Sequence, residues 1–138
     1  MNIAIRYYTR SGNTKKLADA IAEAISVEAK DITAPLTEKA DILFLGSSYY
    51  AFDADDAVKR FIADNKDSIG RIVCFGTSAM MKSMRKHIAK VADKLDVAVA
   101  DEEFHCRGRF GIIHKGRPNE KDVESVKEFA IQILSTAK

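Results

Sequence analysis

Two apolar runs constrain this chain more than anything else in it: Asp41-Ile42-Leu43-Phe44-Leu45-Gly46 and Arg71-Ile72-Val73-Cys74-Phe75-Gly76. Neither alternates polar with apolar residues, so each reads as a strand covered on both faces. Between them Ala57, Val58, Phe61 and Ile62 recur at helical spacing. Strand, helix and second covered strand make a parallel pair joined by a crossover.

The alternation continues in both directions. Ile3–Tyr8 reads as a strand, and Leu17, Ala18, Ile21, Ala22 and Ile25 then mark one face of a helix near 14–27. A short strand is expected over Ala29–Thr33. Met84, Ile88, Val91 and Leu95 share a helical stripe, and Val97–Cys106 reads as a fifth strand whose acidic middle suits a sheet edge. Pro118 and Asn119 open a last helix, with Asn119 as its N-cap and Val123, Val126, Ala130, Ile133 and Leu134 facing inward. The expected fold is α/β: a single domain over 1–138, doubly wound around one five-stranded parallel sheet with helices on both faces.

Composition removes several classes. With 46% hydrophobic and 30% charged residues in 138, the chain is globular in make-up. No apolar run approaches the roughly 18 residues that a membrane span needs, and the N-terminus lacks a secretory pattern. A net charge of +2 gives no bulk attraction to nucleic acid. Charge is nonetheless uneven. Lys82, Arg85, Lys86 and Lys90 form one basic run, and Arg107, Arg109, Lys115 and Arg117 another; acids gather at Asp53, Asp55 and Asp56 and at Asp101–Glu103. Such runs ordinarily form solvated faces. Cys74 and Cys106 form no CxxC pair and lie near no histidine at metal spacing, which points to no metal site and to reduced thiols in the cytoplasm.

In open sheets of this kind, ligands bind beyond the carboxyl ends of the strands. The loop after the first strand, Thr9-Arg10-Ser11-Gly12-Asn13-Thr14, ends at a helix N-terminus, where backbone N–H groups lack intrahelical partners and the dipole favours anions. Three hydroxyls, an amide and a glycine there could cradle a phosphate monoester. The same residues could equally form an ordinary capped turn, with Ser11, Asn13 or Thr14 as the cap. Neither G-x-x-x-x-G-K-[ST] nor G-x-G-x-x-G is present, so nucleoside triphosphate and dinucleotide sites lack support.

At this loop the sequence resembles the flavodoxin family, whose phosphate loop reads T-x-[ST]-G-N-T. The resemblance spans almost the whole chain and includes DILFLGSSYY and IVCFGTSA at the positions of the second and third flavin loops. It implies strand order 2-1-3-4-5 and one non-covalent flavin mononucleotide (FMN), its phosphate held by Thr9, Arg10, Ser11, Gly12, Asn13 and Thr14. It further implies that Ser47 and Ser48 lie near the ribityl chain and ring edge and that Tyr49 or Tyr50 covers a ring face. Gly76, Thr77, Ser78 and Ala79 would border the other side.

Two departures from the family pattern concern the ring. Flavodoxins often place a glycine where this chain has Ala51, at a peptide that flips on flavin reduction; a Cβ tolerates positive φ less well. The third loop, Gly76 to Met81, has neither tyrosine nor tryptophan and leads to Lys82 rather than to acids, leaving Met80 as a soft cover. A cation there would raise the potential of the anionic reduced flavin.

Other residues read as structural. Arg6, late in a central strand, calls for a buried acid partner or a part in setting the charge near the phosphate. Cys74 and Cys106 read as packed thiols and His87 as a surface residue. The long basic connection over 107–117 reads as a surface crossover, with an acidic partner or the 2′-phosphate of NADPH as its functional alternatives. The expected function is electron transfer through FMN between redox partner proteins, a flavoprotein reductase or ferredoxin-type donor and an acceptor. The chain would act as a monomer or weak homodimer, in the cytoplasm and away from membranes and nucleic acid. The alternative is an FMN-dependent NAD(P)H:quinone-type reductase.

Overall fold

A computed structural model describes residues 1–9, 12–49, 55–78, 83–108 and 116–137, with Ser48 and Tyr49 described by their backbone alone. The strands are β1 (Ile3–Tyr8), β2 (Ala29–Asp31), β3 (Ile42–Tyr49), β4 (Arg71–Ser78) and β5 (Ala98–Arg107). The helices are α1 (Asn13–Ile25), α2 (Asp56–Asn65), α3 (Arg85–Asp93) and α4 (Glu120–Thr136). All strand pairs are parallel, in the order β2-β1-β3-β4-β5, as expected.

The covered runs show why this sheet needs helices on both sides. Side chains alternate faces along a strand. Ile42, Phe44, Val73 and Phe75 therefore enter one core with Leu17 and Ile21 of α1 and Val126, Ala130 and Ile133 of α4. Leu43, Leu45, Ile72 and Cys74 enter the other, with Val58, Phe61 and Ile62 of α2 and Ile88 and Ala92 of α3. Each fully buried Leu, Ile or Phe contributes on the order of 1.5–3 kcal/mol.

Arg6 breaks this rule and is satisfied without an acid. Its guanidinium donates to the carbonyls of Ala34 at 2.9 Å, Pro35 at 3.2 Å and Ile5 at 3.0 Å. The acid partner expected from sequence is replaced by a turn folded back over β1, and burial lowers the pKa of the guanidinium, against the field of Glu28. At the other end of the chain, Asn119 caps α4 as expected. Its side chain accepts from Asp122 N at 2.9 Å, and Asp122 accepts from Asn119 N at 2.8 Å, closing a capping box.

Strands β3 and β4 run beyond the ends of their apolar runs. Ser47, Ser48 and Tyr49, expected in a loop, finish β3; Gly76, Thr77 and Ser78 finish β4. The register Ser47↔Gly76, Ser48↔Thr77, Tyr49↔Ser78 supplies the reason: these polar residues pair with one another's backbone. β5 is the sheet edge, and it bulges. Val99 faces Ile72 and Glu103 faces Cys74, leaving Ala100, Asp101 and Glu102 opposite Val73 alone.

Candidate functional site

The carboxyl ends of β1, β3, β4 and β5 meet at the start of α1. Gly12 precedes the helix at φ 87, ψ −3, a left-handed conformation that glycine adopts without Cβ strain. Gly12 N–H donates to Thr9 Oγ1 at 3.0 Å, which folds the loop onto its own first residue. Gly12, rather than Ser11, Asn13 or Thr14, therefore occupies the N-cap position. It offers no side-chain cap, and the first turn of α1 contains no acid. A helix start without a carboxylate keeps its positive end available to an external anion.

Asn13 and Thr14 are both buried, Thr14 completely. Thr14 Oγ1 lies 3.1 Å from Thr77 Oγ1, tying the first loop to the end of β4. Gly108, just past β5, donates its N–H to Ser78 O at 3.3 Å. A Cβ on Gly108 would come within 2.9 Å of both Asn13 Nδ2 and Thr77 Cβ. The sequence-based site omitted Gly108; a glycine directly after a strand was its only signal of close approach.

One row of the sheet runs Tyr8, Ser47, Gly76, His105 across four strands. Among the described residues, Ser47 Oγ and His105 Nε2 are buried polar atoms without a hydrogen-bond partner. They flank Gly76, where a Cβ would lie 2.1 Å from Ser47 O and 2.0 Å from Met84 Cε. Glycine is required there by this close approach. Buried hydroxyls are rarely left unpaired, so the Ser47 hydroxyl is a candidate to meet a group that binds at this end of the sheet.

The structure thus gathers Thr9, Gly12, Asn13, Thr14, Ser47, Gly76, Thr77 and Ser78 of the expected site around one end of the sheet, together with the backbone of Ser48 and Tyr49. Arg10, Ser11, Tyr50, Ala51, Ala79, Met80 and Lys82 lie outside the described residues. Cys74 and Cys106 are buried free thiols whose pKa values burial raises to about 12, so neither is poised as a thiolate. His87 is half-buried rather than a simple surface residue. In the basic connection, Arg117 Nε and Nη2 grip Asp122 at 2.6 and 2.8 Å, so that charge serves the start of α4. Among the described residues no group of His, Cys, Asp and Glu is arranged to hold a metal ion, and no helix is long and apolar enough to cross a membrane.

A family model described as a flavodoxin domain matches residues 4–115. The chain belongs to the flavodoxin family. A solved flavodoxin from the domain Archaea superposes with TM-score 0.79 at 19% identity, covering 99% of this chain and 98% of that one. A flavoprotein from Lactobacillus acidophilus NCFM, solved in complex with FMN, gives TM-score 0.64 at 20% identity, over 77% of this chain and 92% of that one. An uncharacterised protein of Methanocaldococcus jannaschii is 28% identical over 137 residues, 88% of this chain and 90% of that protein. The flavodoxin fold here therefore coincides with a flavodoxin sequence signature over most of the chain.

Proposed function

We propose that this flavodoxin-family chain is an electron carrier that works through one non-covalently bound FMN, exchanging electrons with redox partner proteins. The observation that carries the reading is the polar cradle at the start of α1. It combines a glycine-capped helix end without a carboxylate and a buried threonine pair on the α1 face, with an orphaned serine hydroxyl at the same end of the sheet on the α3 face. These groups fit the cofactor's polar parts. Phosphate suits the helix start at Gly12, Asn13 and Thr14, next to Thr9, and the family resemblance adds Arg10 and Ser11. The hydroxyl of Ser47 suits the polyol chain, and the family resemblance assigns Ser48, Tyr49, Tyr50, Ala51, Thr77, Ser78 and Ala79 to the surroundings of the ring.

Bound FMN supplies the redox chemistry, and the protein supplies orientation and electrostatics. Thr14 and Thr77 hold β4 against the phosphate end, and the covered sheet keeps both anchor points fixed. No side chain need act as acid or base. The same proposal places the protein in the cytoplasm as a single domain over 1–138, in keeping with two cysteines that remain thiols.

The visible spectrum of the purified protein tests the cofactor directly: flavin bands are expected. Bleaching of those bands is expected only when a separate reductase is added. Bleaching by NAD(P)H alone would instead identify a reductase. Thr14→Val combined with Ser11→Ala is expected to weaken FMN binding by about tenfold or more, since hydrogen bonds to a charged group are lost. Unchanged affinity in that variant would remove the phosphate assignment.

A further inference from the structure

The α3 helix starts without a cap of its own. Met84 at its N-cap position offers no side-chain hydrogen bond, and the first turn contains no acid. The missing acceptor comes from the neighbouring strand. Glu103 of β5 accepts the Ser83 hydroxyl on Oε1, and its Oε2 accepts the backbone N–H groups of Met84 at 3.4 Å and Arg85 at 3.2 Å. The helix answers in kind. Arg85 Nε donates to Ala100 O at 2.5 Å, and Nη2 reaches Val99 O at 3.4 Å and Asp101 Oδ1 at 3.2 Å, filling the β5 bulge.

This double clasp sits at a particular place in the chain. β4 ends at Ser78, whose carbonyl accepts from Gly108 just beyond β5, and the chain returns at Ser83. Both ends of the connection between β4 and α3 are thus tied to the β5 strand or its immediate continuation. Met84, held by the same carboxylate, is 1% exposed and lies over Gly76, in the row that contains the unpartnered Ser47 hydroxyl.

We propose that Glu103 is a positioning residue for the flavin site: its carboxylate fixes Ser83 and the start of α3 and seats Met84 over Gly76. The proposal rests on the FMN reading above and concerns how the ring side of that site is held. Glu103 acts through Ser83, Met84 and Arg85.

The test uses the holoprotein and follows FMN release on dilution by flavin fluorescence, with the visible absorption maximum and far-UV circular dichroism recorded alongside. Glu103→Ala is expected to release FMN at a concentration about tenfold higher and to move the visible band, with helix content retained. Glu103→Gln, which keeps an acceptor, is expected to recover most of the affinity and the original band. Asp101→Ala, which removes only an exposed partner of Arg85, is expected to match the wild type. FMN affinity within about twofold of wild type and an unmoved band in Glu103→Ala overturn the proposal, as does a Glu103→Gln variant no better than Glu103→Ala. If Glu103→Ala does not fold, Ser83→Ala decides: a weakened and band-shifted site supports the role, and wild-type behaviour overturns it. A wild-type protein that takes up no FMN overturns the cofactor reading itself, and this proposal with it.

Discussion

His105 lies within β5 with its Nε2 buried and without a partner among the described residues. Burial, and after it the nearby Arg107, lowers its pKa, while Glu103 opposes the shift. A histidine that binds its proton less readily when folded stabilises the fold fully above the ordinary value near 6.5. That contribution is lost as pH falls through the depressed folded value. Denaturant titrations from pH 7 to pH 5 should therefore show a stability loss that His105→Gln removes. A slope unchanged in the variant would assign the loss elsewhere. Single residues of this kind were the least legible part of the sequence. Arg6 looked like half of an ion pair because its partners are three carbonyls, and backbone acceptors leave no trace in residue identity. Thr14 was a recognisable candidate, but its contact with Thr77 joins residues 63 positions apart and depends on the sheet register.

Among the elements, α4 shows the closest agreement between pattern and structure. Pro118-Asn119 before an apolar stripe is a start signal written locally, and the capping box follows from it. Asn119→Ala should cost about 1 kcal/mol of folding stability, read as a lower urea midpoint with an unchanged m-value. A loss well below that would mean that Asp122 and Arg117 hold the helix start without it. The strands were legible only where they are apolar. β3 and β4 were read to Gly46 and Gly76, yet both continue through Ser, Thr and Tyr, because polar residues at strand ends look like loop until their pairing is known. The helix α3 is the converse case. Its stripe was visible, but its cap lies on another strand, and Glu103 read as one more acid on an exposed edge.

At the scale of the molecule, element order, parallel pairing and the two-sided core followed from periodicity, since runs such as Ile42–Leu45, alternating with helical stripes, suit strands covered by helices on both faces. Strand order and the cofactor followed from the resemblance to flavodoxins, not from patterning. Phe44 is fully buried in the layer shared with α1 and α4 and stands in register with Ile5 and Val73. Phe44→Ala should cost about 3–5 kcal/mol in chemical unfolding. If both core layers unfold as one cooperative unit, far-UV ellipticity and flavin fluorescence should report the same lowered midpoint.

The two margins of the sheet carry a consequence for how this protein meets its surroundings. On one side β2 is only three residues long; on the other, β5 is broken by its bulge, with Arg85 already occupying the carbonyls of Val99 and Ala100 and Asp101 standing 96% exposed. Among the described residues, neither margin offers the long, flat ladder on which a second chain could add a strand. That geometry disfavours association by strand addition and leaves side-chain surfaces as the faces for contact. A carrier that must leave one protein to reach the next benefits from sheet margins that resist extension.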